Sequence, residues 1–339
     1  MRPFQFTLAE DAKAAILAHS AAASVQGGAI NSPAQFLAGG TTLIDLMKLD
    51  VMRPTHVIDI NGLQAMDRIE FGPQGLYLGA MAHMSAAADH ADVQKNFPMI
   101  AQALKLAASP QIRNMASLGG NVLQRTRCTY FRDTSYTACN KRNPGSGCAA
   151  LDGINRMHAV LGTSNQCIAS YPGDFAQALI ALDAEVEVAG RKGKRTLPFA
   201  ELHKLPGKTP HIETTLAPGD LITAFRIPAT PFARRSLYLK IRDRESYEFA
   251  LASAAVALDL DGDQVKQARI ALGGVATVPW RAHEAETRLK DMKLDEETMT
   301  AAAEAAFADA QPAAHNAFKI ELGKRTLMRA LHQAAELEI

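Results

Sequence analysis

All four cysteines of this 339-residue chain fall in one stretch: Cys128, Cys139, Cys148 and Cys167, with ten, eight and eighteen residues between neighbours. Within it, the run Asn140-Lys141-Arg142-Asn143-Pro144-Gly145-Ser146-Gly147 is full of turn formers and carries neither helical nor strand period. A segment of this length without a period is ordered most readily when it closes around an inorganic centre that supplies the packing. Structural zinc usually takes closely spaced cysteine pairs, which this sequence lacks. Disulfides belong to oxidising compartments, and a chain this long buries a full core without them. An iron–sulfur cluster needs four thiolates and tolerates looser spacing, because it is larger than a single ion. Arg125, Arg127, Arg132, Lys141, Arg142 and Arg156 outnumber Asp133 and Asp152 here, a basic setting that suits a net-negative cluster. The iron–sulfur reading is favoured on these grounds; zinc and disulfides remain open.

Composition narrows the function class. With 36 basic and 35 acidic residues the formal net charge is +1, which argues against a general nucleic-acid binder. No apolar run approaches the roughly 18 residues of a membrane helix. The start, Met1-Arg2-Pro3-Phe4-Gln5-Phe6-Thr7, has no apolar core of a signal peptide, so the expectation is a chain without an export signal of its own.

Helical and strand patterns alternate along the first part of the chain. Thr7-Leu8-Ala9-Glu10 has the capping-box pattern and predicts a helix running to about His19. Residues 35–38 read as a buried strand ending at Gly39-Gly40, 43–49 as a helix, 55–60 and 76–80 as strands, and 85–89 and 98–108 as helices. Beyond the cysteines, 174–183 reads as a helix and 185–189 as a strand. From Ser236 two long strands turn through Asp261-Gly262-Asp263, a hairpin signal, and three helices follow near 282–291, 295–308 and 314–336. The fold class is α+β. A boundary is expected between Pro228 and Ser236, giving segments 1–231 and 232–339. A small N-terminal lobe covers about 1–60, and the cysteine insertion about 122–170.

Ala38-Gly39-Gly40-Thr41-Thr42 sits between a strand and a helix, where glycines let backbone N–H groups approach a phosphate closely. A second glycine loop, Ser117-Leu118-Gly119-Gly120-Asn121, follows Ser109-Pro110-Gln111-Ile112-Arg113-Asn114. Two such loops suggest a nucleotide held from both sides. Neither matches the nicotinamide Rossmann or P-loop pattern. The ten histidines show no metal-binding spacing, and no nucleophile elbow is present.

The Ala-Gly-Gly-Thr-Thr-Leu run, the Gln-Ile-Arg-Asn…Ser-Leu-Gly-Gly-Asn segment, and Tyr171-Pro172-Gly173-Asp174 leading to Ala181-Leu182-Asp183-Ala184 resemble the flavin subunit of molybdenum hydroxylases. The resemblance covers nearly the whole chain. It implies a two-part FAD-binding domain of the vanillyl-alcohol-oxidase (PCMH) type, followed by a C-terminal sheet-plus-helices domain of the CO dehydrogenase flavoprotein type. The usual family pattern runs almost directly from the Gly-Gly-Asn loop to the segment with Pro and Asp. Here the cysteine insertion separates them, which resembles the subset carrying an extra [4Fe-4S] cluster, the periplasmic aldehyde oxidoreductase and 4-hydroxybenzoyl-CoA reductase types. The insertion looks closest to the former.

Residue by residue, the resemblance implies that Leu37, Ala38, Gly39, Gly40, Thr41, Thr42, Leu43 and Ile44 wrap the FAD pyrophosphate and ribose. Ser109, Ser117, Gly120 and Asn121 would complete the second loop. Asp174 would lie near the adenosine, Ile222 would form an apolar wall, and Lys240 would stand near the isoalloxazine. A helix N-cap for Asp174 and a solvent-facing strand position for Lys240 are the plainer alternatives. Cys128, Cys139, Cys148 and Cys167 would ligate the cluster. The implied function is electron transfer within a heterotrimeric aldehyde oxidoreductase, with a large molybdopterin-binding subunit, a small [2Fe-2S] subunit and an external electron acceptor. The complex would be periplasmic, exported on a partner's signal, with a cytoplasmic complex as the alternative. A 4-hydroxybenzoyl-CoA reductase-like or CO dehydrogenase-like complex, a stand-alone flavin oxidase, and a zinc- or disulfide-stabilised binding module are the competing readings.

Overall fold

The computed structural model describes residues 1–22 and 32–338. Three sheets organise the described residues. Strands β1 (Gln5–Leu8), β2 (Ala34–Leu37) and β3 (His56–Asp59) form a parallel sheet in the order β1-β3-β2. The expected capping box at Thr7 is not used. Thr7 is a β-branched residue paired with Ile58, and its hydroxyl bonds His56 Nε2 at 2.7 Å. The helix Ala12–Ala22 starts later, and Asp11 caps it by accepting from the Ala14 N–H at 2.7 Å.

A five-stranded antiparallel sheet follows, made of β4 (Ile69–Gly72), β5 (Gly75–Gly79), β6 (Glu185–Gly190), β7 (Gly193–Pro198) and β8 (Leu221–Pro228), in the order β4-β5-β8-β6-β7. β8 takes the central place although its pattern is not legible as a strand from sequence. The last sheet is antiparallel, β9 (Ser236–Ile241), β10 (Ala252–Asp261), β11 (Gln264–Gly273) and β12 (Trp280–Arg281), in the order β12-β11-β10-β9. Gly262, at φ +63°, makes the expected hairpin turn between β10 and β11. The helices His283–Leu289, Glu296–Ala306 and Phe318–Ala335 cover one face of this sheet.

Three cores result. The largest gathers the middle sheet and the helix Phe175–Ala181, and continues through Phe232, ahead of β9, into Tyr238, Ala255 and Ala271 of the last sheet. A second lies under the three C-terminal helices. The third is small. In it Phe131 and Cys139 of the cysteine insertion pack with Leu46, Met47, Val51, Met52 and Val57 of the N-terminal lobe, flanked by Leu37, Leu43 and Cys128. The insertion therefore does not depend on an inorganic centre for all its packing. It contains short helices at Thr129–Arg132 and Ala149–Asp152, and Phe131 anchors it with 1% of its surface exposed.

Candidate functional site: a glycine-lined cleft beside the four cysteines

The two glycine segments meet. A Cβ built on Gly39 would lie 1.7 Å from the Met115 carbonyl oxygen and 3.1 Å from Ala116 Cα, so only glycine permits this backbone contact. Gly40 adopts φ +73°. The second segment is a short helix, Leu118–Val122, rather than a loop, and Ser117 caps it by accepting from the Gly120 N–H at 3.1 Å. Together the segments line a cleft of about 560 Å³. Ala38, Gly39, Gly40, Thr41, Thr42 and Leu43 form one wall, and Ser117, Gly119 and Gly120 another. Residues 211–222, ending at Ile222 on β8, close the far side.

Other expected contacts lie outside this lining. Leu37 turns toward the third core, and Ile44 is exposed beside Gly40. Ser109 caps the turn Pro110–Arg113, accepting from the Ile112 N–H at 3.4 Å. Asn121 donates to Met84 Sδ at 3.3 Å, and its buried Oδ1 has no partner among the described residues.

Asp174 and Lys240 find each other instead. Lys240 Nζ donates to Asp174 Oδ2 at 2.8 Å and to the Leu106 carbonyl at 3.1 Å, with its side chain 1% exposed. The Tyr238 hydroxyl donates to Asp174 Oδ1 at 2.6 Å. Neither plainer alternative holds: Asp174 makes no side-chain cap bond, and Lys240 does not face solvent. The pair locks the helix Phe175–Ala181 to β9. Asp174→Ala leaves the Lys240 ammonium buried without its counter-charge, so it should lower unfolding stability by about 3–5 kcal/mol. Chemical denaturation of the variant checks this; a loss of flavin with unchanged stability would contradict it.

The four cysteines are free thiols that converge. Cys139 and Cys148 face each other across an isolated antiparallel bridge, and Cys167 closes a second bridge with Ser164. Burial pushes the Cys128 thiol up to about 12, with Cys139 and Cys167 adding to the shift. Burial likewise pushes Cys167 up to about 11; Lys141 opposes the shift, and Cys148 and Cys139 reinforce it. Every thiol is thus within electrostatic reach of another. His158 Nε2 lies 3.1 Å from Cys128 Sγ, and burial holds this imidazole down to about 4, assisted by Lys319. Among the described residues, no group of three or more His, Cys, Asp or Glu is arranged to hold a single metal ion. Four cysteine sulfurs are the donor set that an iron–sulfur cluster takes.

The surrounding cations are mostly committed to the protein. Arg142 donates through Nη1 to the carbonyls of Tyr130 at 2.8 Å and Phe131 at 2.7 Å, and through Nη2 to Tyr136. Arg132 makes a two-pronged contact with Asp45 at 2.9 and 3.1 Å, and Arg127 reaches the same carboxylate at 3.3 Å. Arg156 pairs with Asp243 at 2.8 Å. The basic setting read from sequence therefore works largely as a set of staples. From the C-terminal domain, Lys319 Nζ and Asn316 Nδ2 both donate to the His158 carbonyl, at 3.2 Å each.

Asp45 follows the Gly-Gly-Thr-Thr turn on the helix Leu43–Lys48, so the cysteine insertion is stapled directly to one wall of the cleft. Asp45→Asn should remove about 1 kcal/mol of charge interaction. It should also make cleavage by trypsin at Arg127 and Arg132 faster while reducing bound flavin. Unchanged proteolysis together with full flavin content would show that the staple is inert.

Sequence reading missed Arg125, Glu213 and Thr214, which also line the cleft. Their separation of nearly 90 positions leaves no local motif to signal them.

The comparisons agree with this geometry. The family described as the FAD binding domain in molybdopterin dehydrogenase matches residues 4–230, and the CO dehydrogenase flavoprotein C-terminal domain matches residues 237–334. The chain is 48% identical to the aldehyde oxidoreductase FAD-binding subunit PaoB of Escherichia coli strain K12, over 89% of this chain and 91% of that one. It is 27% identical to the carbon monoxide dehydrogenase medium chain of Hydrogenophaga pseudoflava, over 91% of each chain. A solved structure of carbon monoxide dehydrogenase from that organism superposes with a TM-score of 0.75 at 26% identity, covering 98% of this chain and 97% of that one. A chain with this pair of domains and this cleft belongs to the FAD-binding subunits of the molybdenum hydroxylases, and is an oxidoreductase subunit.

Proposed function

We propose that the chain is the electron-transfer subunit of a heterotrimeric molybdenum aldehyde oxidoreductase, holding FAD in the glycine-lined cleft and a [4Fe-4S] cluster on Cys128, Cys139, Cys148 and Cys167. A large molybdopterin-binding partner would oxidise the aldehyde. A small [2Fe-2S] partner would pass the electrons to this chain, which would deliver them to an external acceptor. Flavin supplies the needed chemistry, since it accepts single electrons and can release two.

The observation that carries this reading is the union of the two features. The third core and the Asp45 staple bind the cysteine insertion to the wall that bears the glycine turn. A redox centre on the thiols would then share a rigid support with the flavin. Similarity to an aldehyde oxidoreductase subunit of the same length class supports the substrate class.

The test separates carriage from chemistry. Within the assembled complex, anaerobic aldehyde should bleach the flavin absorption. The isolated chain, loaded with FAD, should leave the same aldehyde untouched. Aldehyde turnover by the isolated chain would favour a stand-alone flavin oxidase and overturn the proposal.

A further inference from the structure

Arg125 is out of keeping with the staples around it. It lines the cleft with Ser117, Gly120 and Thr41, yet it is 7% exposed. Its guanidinium packs over the Phe131 ring, 5.3 Å from the centroid, and forms an ion pair with Glu213. Arg125 Nε lies against Glu213 Oε2, while its Nη2 is buried without a hydrogen-bond partner among the described residues. Buried N–H donors are almost always satisfied, so an unpaired one on a residue that lines a cleft points to a ligand.

Glu213 is shared. Lys141 Nζ donates to its Oε1 at 2.8 Å and to the Pro210 carbonyl at 3.1 Å. Burial pushes the Glu213 carboxyl up, but Arg125 and Lys141 outweigh it and hold the group below the ordinary carboxylate value. One carboxylate between two cations leaves one positive charge over. Asp220, the other carboxylate in the lining, is engaged with Arg195 at 2.6 Å. The cleft therefore offers a fixed, incompletely neutralised guanidinium, a group whose planar fork matches anionic oxygen pairs.

We propose that Arg125 binds the negatively charged part of FAD in this cleft, and that Glu213, held by Lys141, is the positioning residue that fixes its guanidinium. The proposal rests on the FAD reading of the cleft. It adds a contact from the cysteine insertion to those of the two glycine segments. The anion has two sources, the pyrophosphate or the reduced isoalloxazine, and they respond differently to loss of the charge.

The experiment uses the assembled complex, stripped of flavin and titrated with FAD or riboflavin, for wild type, Arg125→Gln, Arg125→Lys and Glu213→Gln. Binding is read from flavin fluorescence, and the flavin midpoint potential is measured on reloaded protein. Loss of one charge-assisted contact predicts FAD affinity lower by roughly ten- to a hundredfold in Arg125→Gln. Arg125→Lys should recover part of it, and Glu213→Gln should fall between. If the pyrophosphate is the partner, riboflavin binding stays at the wild-type value. If reduced isoalloxazine is the partner, FAD affinity in the oxidised state holds while the midpoint potential falls. Wild-type FAD affinity and potential in Arg125→Gln, or in Arg125→Lys and Glu213→Gln should Arg125→Gln not fold, would overturn the inference and leave the FAD reading standing. A wild-type complex that takes up no FAD would instead remove the reading beneath it.

Discussion

Gly39→Val should purify without flavin and with reduced stability. The reason is a backbone contact rather than a lost side chain. Any Cβ at residue 39 falls 1.7 Å from the Met115 carbonyl oxygen and 2.6 Å from its carbon. No rotamer relieves this, because the clash precedes χ1. The turn must separate from 115–116, and these residues lead straight into Ser117. Overpacking of this kind costs about 1–3 kcal/mol, occasionally more. The larger effect is on the cleft, because its two glycine walls move apart. Gly40→Val is a useful contrast. There the added Cβ would meet Ile44 Cδ1 at 2.7 Å and Leu37 Cδ1 at 3.4 Å, side-chain ends of residues outside the cleft lining. Its penalty comes mainly from φ +73°, a conformation costing an L-residue about 1–2 kcal/mol. Flavin-to-protein ratio and thermal unfolding measure both. Full flavin occupancy in Gly39→Val would show that contact between the walls is dispensable.

Cys148→Ser removes one of the four thiols. Its strand partner Cys139 is buried in the core shared with the N-terminal lobe, at 7% exposure. On the proposed reading, the variant loses most of its iron and sulfide. It also loosens the 140–148 turn, where the Asn140 N–H donates to the Gly147 carbonyl at 2.7 Å and Asn140 Oδ1 accepts from the Gly147 N–H at 2.9 Å. Because the insertion is stapled to the glycine turn through Asp45, flavin retention falls as well. Limited proteolysis, metal analysis and flavin content on one preparation decide the matter. Iron, sulfide and flavin all at wild-type content would exclude Cys148 as a ligand.

What was legible in the sequence follows from what is local. The Ala38–Thr42 turn, the Asp-Gly hairpin at 261–263 and the C-terminal helices announce themselves through turn residues and period. The Thr7 capping box failed because pairing between β1 and β3 outweighs a local cap, and Asp11 offers a second cap a few residues on. β8 escaped notice because the central strand of a sheet is specified by neighbours distant in sequence, here β5 and β6. The roles of Asp174 and Lys240 were hidden for a similar reason. Read singly as flavin contacts, with a cap and a surface lysine as the alternatives, the two residues gave no sign that they pair with each other. The convergence of Arg125, Glu213 and Lys141 has no period to reveal it.

The central claim is that one chain carries both redox groups. Anaerobic purification followed by chemical analysis and visible spectroscopy tests it most directly. The account predicts one FAD, about four irons and about four sulfides per chain, with flavin bands over a broad iron–sulfur absorption. Stoichiometric zinc without sulfide, or two disulfides by mass spectrometry with no iron, would contradict it.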